Sequence, residues 1–378
     1  MVQAIAFADP QRGVSRSAII GHSLFHAGAL LTLGLLLGVT LTNNPEPWMT
    51  SSIMISSGAF VVGSILLLFT TIWETTRIRS FINSAGFYIL VSGLLVLLTL
   101  FMIGGFHLFH VGMWILFGMY YFGTVFGITA GYHRWGTHEA FEAGPWFIRT
   151  VLFLGAMASQ KDALWWIITH LIHHSMTERA GWDPHTPKEG FWWAHIFWIW
   201  FPYQYSDEMW QKYANAKNRN PFLIEQLRYQ KFAMWFSLLS GPAIFFVLTL
   251  ITEASLLEAI IEAFKAFLLV SVLRTVLVYH TTFMVNSVSH AWGSKRYSTP
   301  RGGQSRDLVF GPLAILSLGE VLHAIHHKFQ NVAVYGVRWN YIDLTGMILL
   351  ALAAARRVFP SESLGLPYNL RRIPKERL

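Results

Sequence analysis

Polar residues are widely spaced along much of this chain. Six apolar runs lie near 17–40, 53–73, 85–104, 107–131, 232–252 and 264–288. Each is long enough to cross about 30 Å of hydrocarbon as a helix. Shorter apolar runs at 147–158, 191–201 and 308–319 are flanked by charge or histidine and read as interfacial or buried helices; 340–355 is intermediate in length. The pattern predicts an all-α integral membrane protein, a transmembrane bundle of about six spans with a helical cap outside the bilayer.

Charge orients the bundle. The segments joining spans one to two, three to four and five to six contain no Lys or Arg. The opposite side holds Arg12, Arg16, Arg77 and Arg79, ten basic residues between 131 and 231, and twelve after 290. Basic residues concentrate in cytoplasmic loops. Both termini and both large polar segments are therefore expected in the cytoplasm. Met1–Arg16 has no apolar stretch followed by a small-residue cleavage site, so no secretory leader is expected and the reading is a multi-pass protein of a bacterial inner membrane. Arg274 and His280 fall inside the sixth span. Such residues either mark function in the bundle interior or form a buried pair.

Composition narrows the chemistry. Hydrophobic residues make up 53% and charged residues 13% of the 378, and mean hydropathy is +0.42; a soluble domain carries about 25% charged residues. The net charge of +8 then reads as a cytoplasmic face beside anionic lipid and not as a nucleic-acid surface. The chain has no Cys. That excludes disulfides, thiolate-ligated haem and cysteine-held iron–sulfur clusters, and leaves its 16 His as the strong metal ligands.

Nine of those histidines gather in four places: His133 and His138 in HRWGTH; His170, His173 and His174 in HLIHH; His290 ending NSVSH; and His323, His326 and His327 in HAIHH. The topology puts all nine on the cytoplasmic side. Residues i, i+3 and i+4 share a helix face, so each H-x-x-H-H triplet is expected to converge on one point. Asn286 lies four residues before His290 and faces the same way, reaching metal directly or through water. His133 and His138 are five apart, roughly 140° on an α-helix; they are expected not to share a face, the helix ending there with Gly136 making the turn. So many imidazoles imply two metal ions with open positions, and iron with oxygen fits best. The scattered His22, His26, His107, His110, His195 and His280 read as packing or interfacial residues.

From 107 to 345 the chain resembles the membrane fatty acid desaturase family, within it the stearoyl-CoA desaturase-like (delta-9) branch. GITAGYHRWGTH resembles the first histidine box. LWWIITHLIHH with DPHTPKEGFWWAHIFW resembles the second, LRTVLVYHTTFMVNSVSHAWG the last span, and SRD…LGEVLHAIHH the third. The resemblance implies a di-iron site ligated by the nine histidines, with Asn286 acting through water. It implies O2 as co-substrate, and electrons from an external ferredoxin or b-type cytochrome with its reductase. The product would be a cis double bond in a long acyl chain carried by a glycerolipid or CoA. It also places Gln160, Trp166, Thr282 and Phe283 at the bend of an acyl tunnel, and Asp183 and Glu320 where they orient ligand imidazoles.

Some features depart from the family. Ile168 and Thr169 stand before the second box, and Leu171 follows its first His, where acyl-CoA enzymes carry charged residues; an apolar mouth there favours a lipid-borne chain. The third box lacks the Asn often found after its first His, and an extra hairpin precedes the first box. The chain is thus read as N-terminal spans over 1–106, a desaturase core over 107–345 and a basic tail over 346–378. A hydroxylase on the same scaffold is the alternative outcome. A metal transporter would instead line polar groups up across several spans.

Overall fold

The computed structural model describes residues 109–191, 193–200, 202–203, 205–295, 305–309, 311–336, 340–358 and 365–373. The expected spans at 17–40, 53–73 and 85–104, with His22, His26 and His107, lie outside them. Among the described residues the structure is helical, with isolated bridges but no strand.

Ten helices carry the argument. They are α1 (Val111–Phe126), α2 (Pro145–Ala156), α3 (Ala163–Met176), α4 (Asp207–Lys217), α5 (Pro221–Ile251), α6 (Leu256–Ala266), α7 (Arg274–Ala291), α8 (Gly311–Leu316), α9 (His323–Lys328) and α10 (Leu344–Val358). Helix α1 continues without a break as a π-helix over Gly127–Thr137, and a second π segment, Phe267–Leu273, joins α6 to α7.

Two helices are long and apolar enough to cross a membrane, Val111–Thr137 and Pro221–Ile251. The run at 264–288 is helical throughout but in three pieces. Two spans, not six, are therefore visible among the described residues. Both carry large apolar side chains on their outer surface: Phe232, Trp235 and Leu239 on α5 are 63%, 56% and 52% exposed. Such a surface suits lipid and not water.

The described chain forms two compact units. One contains Leu238–Val276 and the described residues up to Gly118. Within it the Ser271 hydroxyl donates to the Leu238 carbonyl at 2.6 Å, the Arg274 Nε donates to the Val270 carbonyl at 3.2 Å, and His110 Nε2 lies 3.1 Å from Glu262. The other contains Met119–Ser237 and everything described from Leu277 on. All nine clustered histidines belong to it.

In this second unit the π segment packs on α2 through glycine. A Cβ on Gly127 would meet the backbone N of Gly155 at 2.1 Å, and one on Gly131 would meet the Val151 carbonyl oxygen at 2.9 Å. Only glycine permits that approach of two backbones. Helix α3 starts at Asp162, whose carboxylate accepts from the Trp165 N–H at 2.8 Å. It buries Ile168 and Ile172 against Ala214 of α4, one helical row, and turns its histidines the other way. The six-residue α9 has few hydrogen bonds of its own; Asp307 holds its start by accepting from the N–H groups of Ala324 (2.8 Å) and Ile325 (3.1 Å). Residues read from sequence as the tail include most of α10 and a segment that pairs with 140–144, Tyr368 with Glu142 and Arg371 with Ala140.

Candidate metal centre

The structure brings all nine histidines together, in two groups. His133, His138, His170, His174 and His326 form one; His173, His290, His323 and His327 form the other. Within each group the ligand nitrogens lie within 4.8 Å of one another. The expected convergence of each triplet on one point is wrong. In HLIHH the i and i+4 residues, His170 and His174, join the first group while His173 joins the second. In HAIHH His323 and His327 join the second group while His326 joins the first. The reason is helical geometry: i and i+4 lie in one row, and i+3 lies on the opposite flank of that row. With α3 and α9 both contributing, each helix serves both groups.

The first box corrects a second expectation. His133 and His138 do share a face, with ring centroids 5.0 Å apart. The helix does not end; it widens. The His138 N–H donates to the His133 carbonyl at 3.2 Å, an i→i+5 bond, so five residues make about one turn. Gly136 makes no turn. Its missing Cβ admits Ile167, whose Cδ1 would lie 2.5 Å away.

Nitrogen spacing shows what the groups can hold. Nε2–Nε2 distances are 3.1 Å for His133–His326, 2.9 Å for His326–His174 and 3.0 Å for His174–His170. In the second group they are 3.2 Å for His173–His327, 3.0 Å for His327–His323 and 3.0 Å for His323–His290. Two imidazole nitrogens at a right angle, each ~2.1 Å from one ion, lie ~3.0 Å apart. For three of the nine, the other ring nitrogen shows that Nε2 is bare. His133 Nδ1–H donates to Glu320 at 2.6 Å, His173 Nδ1–H to Asp183 at 2.8 Å, and His290 Nδ1–H to Glu178 at 3.0 Å. A neutral imidazole with its proton on Nδ1 offers Nε2 as a lone pair. These bare Nε2 atoms meet the other imidazole nitrogens of their groups at the spacing that a shared cation imposes. The residues therefore fit two metal ions, with carboxylates holding the rings as they do in other histidine sites.

Burial sharpens this. Removal from water pushes His170, His173, His174, His323, His326 and His327 well below the usual imidazole range, and neighbouring imidazoles add to the effect. Burial also raises the Asp183 carboxyl, while the Glu178 and His185 N–H groups pull it back. For Glu320 burial acts upward but is outweighed by His133 and Arg134, which hold it below the ordinary value.

Several residues at the centre were not anticipated. Glu178 anchors His290. Tyr335 sits with its hydroxyl 2.9 Å from His326 Nδ1. Arg134, fully buried, spans Glu320 (3.0 Å) and Asp343 (2.8 Å) and lies 4.0 Å over the Tyr335 ring. The His185 ring lies tilted against His173, centroids 4.2 Å apart, and joins it and Asp183 in a third group. The one sequence signal was position: Glu178 and His185 sit within a dozen residues of the second box.

A cavity adjoins both histidine groups. His133, His170 and His323 line it with Trp166, Thr169, Thr282 and Asn286, and most of its wall surface is apolar. Two of the four proposed tunnel residues, Trp166 and Thr282, reach it directly. Gln160 reaches it through Thr282, to whose Oγ1 it donates at 3.2 Å. Phe283 does not line it; that ring is fully buried against Trp198 and Tyr279. The expected apolar mouth is also absent as drawn. Ile168 is fully buried against α4 and Thr169 lines the inner cavity, so neither residue meets a head group at a surface. His195 and His280, read as packing residues, pair with each other at 3.0 Å.

The family model described as fatty acid desaturase matches residues 111–356. An acyl-CoA C20 delta-5 desaturase of Anemone leveillei is 32% identical over 306 residues, 80% of this chain and 86% of the relative. An sn-2 palmitoyl-lipid 9-desaturase of Nostoc sp. is 32% identical over 260 residues, 68% of this chain and 84% of the relative. Delta-9 acyl-lipid desaturase 2 of Arabidopsis thaliana is 28% identical over 267 residues, 69% of this chain and 78% of the relative. The extent of these matches, falling on the segment that carries the paired histidine groups, makes the chain a member of the fatty acid desaturase family, an oxidoreductase of lipid metabolism.

Proposed function

We propose that the chain inserts a cis double bond, at the delta-9 position, into a long saturated acyl group carried by a lipid or CoA. One iron ion would be held by His133, His138, His170, His174 and His326. A second would be held by His173, His290, His323 and His327, with Asn286 acting through water. Bound iron supplies, with O2, the oxidising power to take hydrogen from two adjacent methylenes. The balance is one saturated –CH2–CH2– unit, O2, two electrons and two protons, giving –CH=CH– and two waters. An external one-electron donor is required.

The observation that carries this reading is the shared lining: the apolar cavity and both histidine groups have His133, His170 and His323 in common. The chain's own work is positioning. Trp166, Val125, Ile128 and Val285 exclude water along the cavity wall. Asp183, Glu320, Glu178 and Tyr335 fix the imidazole rings. The apolar surfaces of α1 and α5 support the reading of a multi-pass membrane protein, with this centre at its cytoplasmic face. Two of the three relatives described act at the ninth position, which supports the regiochemistry.

The test is lipid profiling of a host lacking desaturases, with and without the gene. New delta-9 monounsaturated chains are expected. A hydroxylated acyl chain in place of the alkene would replace this reading with that of a hydroxylase.

A further inference from the structure

The C-terminal end of α3 carries a second hollow, and it shares no lining residue with the acyl cavity. Arg179, Lys188 and Lys212 rim it, all three exposed. Its other charged lining residue is Glu178, which is buried, engaged with His290 and 3.9 Å from the Lys188 ammonium. The rim thus keeps a net positive charge, carried by Arg179 and Lys212.

What lies beneath distinguishes it from an ordinary basic surface. The Thr177 hydroxyl donates to the carbonyls of His173 (2.9 Å) and His174 (3.2 Å). Glu178 accepts from His290 Nδ1–H at 3.0 Å, and its backbone N–H donates to Asp183 at 2.7 Å, the carboxylate that holds His173. The lining of the hollow is therefore one hydrogen bond from the His290 ring of the second group and from the backbone of His174, a member of the first. His174 is the one member of the nine that is half-buried and not buried.

We infer that this hollow docks a small acidic electron-carrier protein, which delivers electrons to the metal centre through His174 and the Glu178–His290 contact. The inference rests on the oxygen-dependent reading above. Each turnover takes four electrons to convert O2 to two waters; two come from the C–H bonds broken and two from the carrier, which leaves oxidised by one electron at each of two visits. A docking face of a few cations suits such brief encounters, whose interfaces are small and whose rates are set by charge. The separate linings let carrier and acyl chain be bound together. They also argue against the phosphate of an acyl carrier as the occupant, because its chain would have to run on from the hollow into the cavity.

The test uses the full chain, iron-loaded, in nanodiscs, with a reduced [2Fe–2S] ferredoxin of net negative charge as the carrier probe. Arg179→Glu with Lys212→Glu is expected to weaken ferredoxin binding roughly tenfold, and added salt to weaken binding to the parent chain. Turnover driven by reduced methyl viologen, which needs no docking, is expected to stay at the parental level. Unchanged ferredoxin affinity in the double variant overturns the inference. So does an intact ferredoxin affinity paired with a raised KM for the acyl substrate, which would assign the cations to a head group. Absence of product from the parent chain with viologen would count against the desaturase reading; ferredoxin binding, measured on the resting protein, judges the docking face by itself.

Discussion

Tyr335 shows what single side chains contribute to this centre. Its hydroxyl is 2.9 Å from His326 Nδ1, and His326 is the residue by which α9 reaches into the first group. Removing the hydroxyl in Tyr335→Phe leaves the fold's packing intact and frees the ring to turn. Partners of this kind are worth about 10–100-fold in metal affinity or activity. Iron retention against a chelator is expected to fall by that much, and unchanged retention would remove Tyr335 from the assembly. Protons give a second handle. Burial pushes His185 and His195 down to about 3, with His290 and His280 respectively adding to the effect. The folded, metal-free chain thus keeps these rings neutral while the unfolded chain protonates near pH 6.5. The unfolded state then binds more protons, so stability is full above about 6.5 and falls as pH drops from there towards about 3. The unfolding temperature of the metal-free chain is expected to be lower at pH 5.5 than at pH 7.5; an equal or higher value at pH 5.5 contradicts the buried neutral state. At this scale the sequence was most legible where chemistry is local. H-x-x-H-H announces itself because three ligands fall on one helix face. Glu178, Tyr335, Arg134 and Asp343 did not, since their importance comes from neighbours as far as 209 positions away along the chain.

The helices decide how the ligands divide. The i, i+4 pair of each triplet goes to one group and the i+3 residue to the other, an arrangement that needs two such helices facing each other and so cannot be read from either alone. The π segment is the other element-scale device. It sets His138 one wide turn from His133, which a five-residue spacing on an α-helix forbids, and HRWGTH carries no local mark of that widening. The glycine face of the segment is easier to test. In Gly127→Ala the new methyl would meet backbone of Leu154 and Gly155 at 2.4 Å and 2.1 Å, and backbone cannot move aside as a flexible side chain can. A loss of about 2–4 kcal/mol is expected, in the range of strong packing defects, read as a lower unfolding temperature and lower yield of folded protein. A variant as stable as the parent would mean that α2 stands further from Gly127 than described.

For the whole molecule, hydrophobic patterning reported helices well, because an apolar run of twenty residues has few other stable forms in lipid. Two of the expected spans are visible as such among the described residues. The run at 264–288 is built instead around buried polar residues, Arg274, Thr275, Asn286 and Ser287 among them, a pattern that mean hydropathy blurs. Leu239 lies on the outer surface of α5, 52% exposed. If that surface meets acyl chains, Leu239→Lys costs about 2.5–3.5 kcal/mol on insertion and shifts the protein from the alkali-resistant membrane fraction towards the soluble or degraded one. Unaltered membrane retention would place that face of α5 out of the lipid. The acyl carrier was the least legible property, since the reasoning from Ile168 assumed a surface that the structure fills with α4.

The central claim is that two metal ions, divided between the histidine groups as the nitrogen geometry divides them, carry out the oxidation together. Its most direct test is iron per chain measured beside acyl product, on the same membrane-embedded samples, for the parent and for His173→Ala. The account predicts two irons per parent chain, product that rises only as the second iron loads, and about one iron with no product in the variant. Full turnover with a single iron, or undiminished product from His173→Ala, would contradict it.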